Sequence, residues 1–194
     1  MNPIHTEAYR GLTIKLYLDP DPESPREWSN LGTMWCKHRR YQLGDKDAAP
    51  PPKANVVLLP LYLYDHSGIT MSTKPFSCPW DSGQVGVIYC TYERIRQEYD
   101  LNPGNIPGEM IRRVIDILEQ EVRTYDQFLR GAVYGYVVED AGGEHLDSCW
   151  GIYQNERLDS EDSYILKQAR ESADHHADKI EKIETETQMA ECFP

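Results

Sequence analysis

The segment from Glu109 to Leu129 restricts the fold more than any other part of the sequence, because its apolar residues recur at intervals of three and four. This spacing places them along one face of an α-helix. The segment therefore predicts one long helix with a buried face, and Gly131 is expected to end it. The apolar positions on this face are Met110, Ile111, Val114, Ile117, Leu118, Val122, Tyr125 and Leu129.

Runs of β-forming residues lie on both sides of this helix. Pro60 cannot donate a ladder hydrogen bond, so we expect it at a sheet edge or a bulge. Gly142 and Gly143 favour a tight hairpin turn because glycine tolerates a positive φ. These features predict an α+β protein: a mostly antiparallel sheet with one main covering helix, followed by an acidic C-terminal helix. The predicted strands span 12–19, 33–41, 55–65, 69–73, 84–91, 132–138 and 145–152, with a short helix over 92–99.

Negative charge is concentrated near the end of the chain. The formal net charge is −12, and residues 159–194 carry ten acidic side chains against four basic ones, so half of the charge lies there. This contrast predicts an α+β domain over residues 1–158 and an acidic helical tail over 159–194. A heptad seam along the tail predicts that its helix packs on the domain, pairs with a second copy of the chain or docks on a partner. The seam consists of Leu166, Ala169, Ala173, His176, Ile180, Ile183, Thr187 and Ala190.

Composition and motifs exclude several classes of protein. A net charge of −12 disfavours binding to duplex DNA, because phosphates would be repelled. The longest apolar stretch, Val56 to Tyr64, is too short to span a membrane. The five cysteines are widely spaced and the start does not read as a signal peptide, so we expect reduced thiols in the cytoplasm. Neither a phosphate-loop motif nor zinc-ligand spacing occurs, so no cofactor and no metal are expected.

Residues 77–84 combine a thiol, a hydroxyl, a carboxylate, an amide and an indole just before a predicted strand. A hairpin could bring the preceding turn, with its histidine, close to this segment. Either the thiol or the hydroxyl could then act as a nucleophile with that histidine as base. No recognised nucleophile signature surrounds them. The candidate catalytic residues are Cys78, Ser82, His66 and Asp81.

A purely structural role for the same segment is the alternative. Trp80 would then fill the core, and Asp81 would cap backbone amides in a tight loop. Gly83 and Gly86 would permit a β-bulge at the start of the strand. The sequence alone leaves both interpretations open.

Residues 35–41 form a basic cluster between two aromatic residues. Arginine side chains bind phosphates and carboxylates through paired hydrogen bonds, and Trp35 and Tyr41 could stack on a base. The alternative is a strand whose positive charges offset the acidic loop over residues 19–27. The candidate anion-binding residues are Lys37, Arg39, Arg40 and Tyr41.

Three stretches carry a resemblance to a known group of proteins. They are PREWSNLGTM at 25–34, PWDSGQVG at 79–86, and YGY at 134–136 with DSCWG at 147–151. Together they resemble small proteins encoded by bacteriophages and integrative elements, over roughly residues 9–153. The resemblance implies an accessory gene of a mobile element that acts inside a bacterial cell, and it assigns no role to any residue.

The leading hypothesis is a non-catalytic accessory protein that binds and inhibits a host protein, such as an anti-CRISPR or anti-restriction inhibitor. Its acidic surface would imitate nucleic acid and bind a basic nucleic-acid-binding surface, without direct duplex DNA or membrane binding. One alternative is a small hydrolase or transferase using Cys78 or Ser82. A second is a nucleotide or single-strand binder using the Lys37–Tyr41 patch. The candidate partner-binding residues are Glu161, Asp162, Glu171, Asp174, Asp178, Glu181, Glu184 and Glu186.

Overall fold

The computed structural model describes residues 1–155, 157–160 and 162–192, while the side chains of Glu184 and of residues 189–192 lie outside the described part. Helices occur together with antiparallel sheets, and the α+β class is confirmed. The strands are β1 (His5–Tyr9), β2 (Leu12–Leu18), β3 (Thr33–Cys36), β4 (Val56–Asp65), β5 (Ile69–Ser72), β6 (Ser82–Thr91), β7 (Val133–Glu139) and β8 (His145–Tyr153). The helices are α1 (Tyr92–Glu98), α2 (Gly108–Leu129) and α3 (Tyr164–Cys192), and a short 3-10 helix spans Pro25–Glu27.

Two compact units divide the chain, and their boundaries differ from the expected boundary at residue 158. Unit 1 comprises Met1–Pro22 and Gly131–Pro194, and unit 2 comprises Glu23–Arg130. The pairing of β2 with β7 causes this division, because it joins strands that are far apart in the sequence. The chain after residue 158 belongs to unit 1 because α3 packs on the sheet that these strands form.

Unit 1 is a four-stranded antiparallel sheet in the order β1-β2-β7-β8, with α3 against one face. The predicted hairpin of β7 and β8 is confirmed, whereas β1 was not predicted. Only the first part of the predicted seam is buried on the sheet: Ala169 and Ala173 are fully covered, but Ile183 is 54% exposed. Alanines let the helix approach the strands closely, so the tail packs on its own unit through this part of the seam.

Two buried polar side chains fix the start of α3. Gln154 is 2% exposed, and its Oε1 accepts the backbone N–H of Ile165 at 2.8 Å. Its Nε2 donates to Ser163 Oγ at 3.0 Å. That hydroxyl in turn accepts the N–H of Leu166 at 3.3 Å, which caps the first turn of the helix. The helix therefore begins where a buried amide satisfies its first backbone groups.

Unit 2 is a second four-stranded antiparallel sheet in the order β3-β6-β4-β5, covered by α2. The chain thus has two sheets where the sequence predicted one. The helices predicted at 92–99 and 109–129 are confirmed, and the predicted apolar face of α2 buries Val114, Leu118 and Tyr125. Gly131 follows the end of α2 with a φ of 68°, the left-handed conformation expected of a residue that ends a helix.

Pro60 lies in β4, where the sequence predicted an edge or a bulge. It faces Val87 of β6, whereas β5 pairs only with residues from Tyr62 onward. At Pro60, no described strand therefore pairs with β4 on the side away from β6. The missing N–H of the proline costs no ladder hydrogen bond on that side. The register between β4 and β6 shifts between Leu61 and Tyr62, directly after the proline. Both parts of the expectation hold at this position.

A buried ion network ties α2 to the chain around β3. The side chain of Arg26 is 4% exposed, with Nε 2.5 Å from Asp45 Oδ1 and Nη1 3.0 Å from Glu121 Oε2. Its Nη2 also donates to the carbonyl of Gly32 at 2.8 Å. Burial acts to lower the pKa of Arg26, and its hydrogen bonds to the two carboxylates outweigh this effect, so the pKa is raised. The guanidinium stays charged in the interior, and each of its three nitrogens donates a hydrogen bond.

Burial also acts on two cysteines of unit 2. It raises the pKa of the Cys36 thiol to about 12 and that of the Cys90 thiol to about 11. Both thiols are therefore protonated near neutral pH, and neither is an activated nucleophile there.

Replacing Arg26 by Met should destabilise the chain by about 3–5 kcal/mol, because Asp45 and Glu121 would keep their charges in the interior without a counter-ion. Urea denaturation followed by circular dichroism measures the free energy of unfolding. Arg123→Ala is the matched control: Arg123 is 65% exposed in its pair with Glu119, so its loss should cost less than about 1 kcal/mol. Equal, small effects of both substitutions would show that the network contributes nothing to stability.

Candidate anion-binding groove

A groove on unit 2 brings together the two segments that the sequence singled out separately. Residues 37–40 follow β3, and residues 80–85 lead into and begin β6; both segments line the groove, together with Leu63 and Asp65 of β4. Its volume is about 510 Å³, which is within the usual range for small-ligand sites of about 300–1,000 Å³. The basic candidates and part of the catalytic candidates therefore share one surface.

The pairing of β3 with β6 creates this juxtaposition. Cys36 lies opposite Gly86, and the N–H of Lys37 donates to the carbonyl of Val85 at 2.7 Å, just beyond the end of β3. Gly86 permits the close approach, since a Cβ at this position would lie 2.1 Å from the carbonyl oxygen of Trp35. The residues that follow β3 are therefore held beside those at the start of β6.

The strand predicted over 33–41 is shorter than expected, because it ends at Cys36. The imidazole of His38 takes over as hydrogen-bond partner of the following backbone: its Nδ1 accepts the N–H groups of Arg40 and Tyr41, each at 3.3 Å. A side chain that binds the backbone in this way competes with a strand ladder. The basic residues consequently lie on a loop rather than on a strand.

The four anion-binding candidates differ in whether their charged group or hydroxyl already binds another residue of the chain. Arg40 Nη2 and the hydroxyl of Tyr41 both donate to the carboxylate of Asp65. Lys37 and Arg39 are exposed, and neither has an ion-pair partner in the part of the chain that the structure describes. The positive charge that remains available to a ligand in the groove is therefore that of Lys37 and Arg39.

Trp80 lines the same groove and is 92% exposed. This placement contradicts the interpretation in which Trp80 fills the core. The core of unit 2 is instead filled by aliphatic side chains of the strands and of α2, among them Met34, Leu61 and Leu118. The loop from Cys78 to Asp81 stands away from this core, and the indole with it faces solvent.

The catalytic candidates come from the β4–β5 turn and from the segment at the start of β6, and Asp81 contacts both His66 and Cys78. Asp81 Oδ2 lies 3.2 Å from His66 Nδ1 and accepts a hydrogen bond from Cys78 Sγ at 3.6 Å. The hydroxyl of Ser82 donates to the carbonyl of Cys78 at 2.5 Å. Within the described residues, His66 makes no hydrogen bond to the hydroxyl of Ser82 or to the thiol of Cys78. The nucleophile–base contact that the catalytic hypothesis requires is thus not formed here, and that hypothesis stays a prediction.

The acidic candidates lie on unit 1, and three of them are bound by one arginine. Arg10, at the turn between β1 and β2, lies 3.0 Å from Asp174, 2.7 Å from Asp178 and 3.0 Å from Glu181. No local sequence pattern indicates this contact, because Arg10 precedes the helix by most of the length of the chain. One positive charge therefore partly offsets three of the proposed phosphate-like charges.

The other acidic candidates whose side chains are described are not among the partners of Arg10. Glu171 accepts a hydrogen bond from Gln168 at 3.1 Å, and Asp162 lies 3.5 Å from Lys167. Glu186 is exposed. Glu161 and the side chain of Glu184 lie outside the described residues. The outer face of α3 therefore keeps part of its expected negative charge.

The described residues contain neither a candidate metal site nor a helix that could span a membrane. No three or more His, Cys, Asp or Glu side chains among them are grouped so that they could bind a metal ion. No helix in the described part of the chain has both the length and the apolar character needed to cross a membrane.

Comparison with known proteins finds no matching protein family, no matching curated protein and no matching solved structure. The resemblance to proteins of phages and integrative elements therefore stays a prediction.

Replacing Gly86 by Ala should destabilise unit 2 by about 1–3 kcal/mol, because the added methyl group meets a backbone carbonyl and the β3–β6 ladder must separate to fit it. Gly83→Ala is the matched control, since a Cβ at Gly83 would have no atom within 4 Å. Thermal unfolding of both variants measures the difference. A Gly86→Ala chain as stable as Gly83→Ala would contradict the described contact between these strands.

Proposed function

We propose that the chain is a binding protein and that the groove of unit 2 is its site for an anionic ligand. The observation that carries this proposal is the pair of exposed cations, Lys37 and Arg39, in a groove whose other arginine is already paired with Asp65. An unpaired guanidinium presents two parallel donors, which fit the oxygens of a phosphate or carboxylate. A binding role needs no nucleophile, in keeping with the contacts of His66 and Ser82.

The charges of the groove favour a short-range contact over long-range attraction. The chain as a whole carries a net charge of −12 and would repel anions at a distance. At the groove, Arg40 offsets Asp65, and His66 lies beside Asp81. An anion can therefore gain hydrogen bonds from Lys37 and Arg39 once it has reached the site. Selection by contact geometry rather than by bulk charge follows from this arrangement.

Charge reversal tests the proposal directly. The double variant Lys37→Glu with Arg39→Glu should bind tripolyphosphate at least roughly tenfold more weakly than the unchanged chain, because it replaces two cations that donate charge-assisted hydrogen bonds by two anions that repel the ligand. Isothermal titration calorimetry at low salt measures the affinity. The effect should shrink as salt is added, because exposed charges are screened.

Lys46→Glu with Lys53→Glu is the matched control for this experiment. Both lysines are exposed residues of unit 2, and neither lines the groove. This control changes the net charge by the same amount, so it separates contact from the general field. Equal weakening by the two double variants, or no binding of tripolyphosphate to the unchanged chain, would contradict the proposal.

The acidic surface of α3 supports a second candidate function: binding to a basic host protein, as in the anti-defence hypothesis. The observation that favours it is the end of the helix, where every described side chain from 181 to 188 is exposed. Glu186 and Ile183 lie on this exposed stretch, beyond the part of α3 that packs on the sheet. A protein surface of positive charge would complement it.

A host-interference assay tests this second candidate. Expression of the chain should raise the plating efficiency of a phage on a host with an active restriction or CRISPR system, and Glu171→Gln with Glu186→Gln should reduce the effect, because opposite charges speed association. Glu93→Gln with Glu109→Gln, which neutralises two exposed acids of unit 2, is the control. An unchanged plating efficiency with every such system would count against an anti-defence role.

A further inference from the structure

We infer that the anion bound in the groove carries an unpaired nucleobase, so that the ligand is a nucleotide unit of single-stranded nucleic acid. This inference rests on the proposed function of the groove and names its ligand. The geometry points to it because a fully exposed indole and two unpaired cations line the same surface. A ligand that uses both must combine a flat apolar ring with negative charge, and a nucleotide does so.

Trp80 is the residue that we expect to contact the nucleobase. Its side chain is 92% exposed, more than that of any other large apolar residue found exposed in the described chain. An exposed indole lacks the apolar contacts that burial would give it. A base stacked on one face of the ring provides such a contact. Trp28 and Trp150 are each less than half exposed, at 43% and 42%. Trp80 is therefore the tryptophan placed to stack on a ligand.

A second ring also lies in the groove. His38, which also lines it, stacks on Tyr41 with ring centroids 5.1 Å apart and an angle of 9° between the rings. Arg40 lies over the same tyrosine, with Cζ 5.5 Å from the ring centroid. Aromatic rings and cations in one groove are the usual arrangement of sites that bind successive bases of a single strand.

The accessible faces of the ligand decide between single and double strands. In a duplex the faces of the bases are stacked on one another and closed to Trp80, whereas a single strand exposes them. The net charge of −12 also opposes a duplex, with its denser phosphate charge, more strongly than a short single strand. The groove is therefore assigned to a single strand.

The test compares short probes that share their phosphates and differ in their bases. Fluorescence anisotropy of the full chain measures its affinity for a fluorescein-labelled oligothymidylate, for an abasic strand of the same length and for a duplex. Oligothymidylate should bind roughly five- to a hundredfold more tightly than the abasic strand, the range expected for stacking of one base. The duplex should bind no better than the abasic strand.

Variants at Trp80 identify the residue responsible. Trp80→Leu removes the flat ring, so it should abolish the preference for oligothymidylate and leave the affinity for the abasic strand unchanged. Trp80→Phe should restore part of the preference. Trp28→Leu is the matched control in the same unit and should change neither affinity.

The remaining outcomes distinguish failure of the nucleobase inference from failure of the proposed anion site. Equal affinities for oligothymidylate and the abasic strand would overturn the nucleobase while leaving the anion site in place. Binding of thymidine monophosphate as tight as that of oligothymidylate would overturn the strand and assign a free nucleotide. A duplex that binds as tightly as the single strand would also overturn the inference. Failure of both the strands and tripolyphosphate to bind would instead remove the anion site itself.

Discussion

The buried guanidinium of Arg26 is the interaction on which the arrangement of unit 2 depends. It bonds to Asp45 and Glu121 and to the carbonyl of Gly32. Each carboxylate then uses its second oxygen on the backbone: Asp45 accepts the N–H of Met34 at 2.9 Å, and Glu121 accepts that of Gly32 at 3.1 Å. A single cation thereby fixes α2, the segment before β3 and the loop after it in one register.

The positions of the cations in the groove depend on this network. Met34 belongs to β3, and β3 runs directly into Lys37, the first cation of the groove. A shift of β3 against α2 would move Lys37 and Arg39 away from the start of β6 and from Trp80. The chemistry of the surface thus depends on a buried ion pair that no ligand would touch. Such coupling is common where a binding loop is held by a rigid scaffold.

Local patterns in the sequence were sufficient for α2, for the hairpin of β7 and β8 and for the position of Pro60, since each depends on neighbouring residues. The division into units was not readable, because it depends on β2 pairing with β7 across all of unit 2. For the same reason the two candidate segments of the groove were found separately: their meeting depends on the register of Cys36 with Gly86. The structural interpretation of residues 77–84 placed Trp80 in the core; this part of it is wrong, because aliphatic side chains fill that core and Trp80 is exposed. The clamp of Arg10 on α3 depends on tertiary packing and left no local signal.

The insertion of unit 2 between two paired strands has a consequence for the order of folding. The N–H of Asp19, just after β2, donates to the carbonyl of Val133 at the start of β7 at 2.9 Å, so the chain leaves and re-enters unit 1 at nearly the same place. If unit 2 is unfolded, closing this ladder must join the ends of a disordered loop of about 110 residues. If unit 2 has already folded, only the short connections on either side remain disordered, which lowers the closure cost by about 2 kcal/mol on the logarithmic length law. Folding of unit 2 before β2 pairs with β7 therefore lowers the entropic cost of forming the sheet of unit 1.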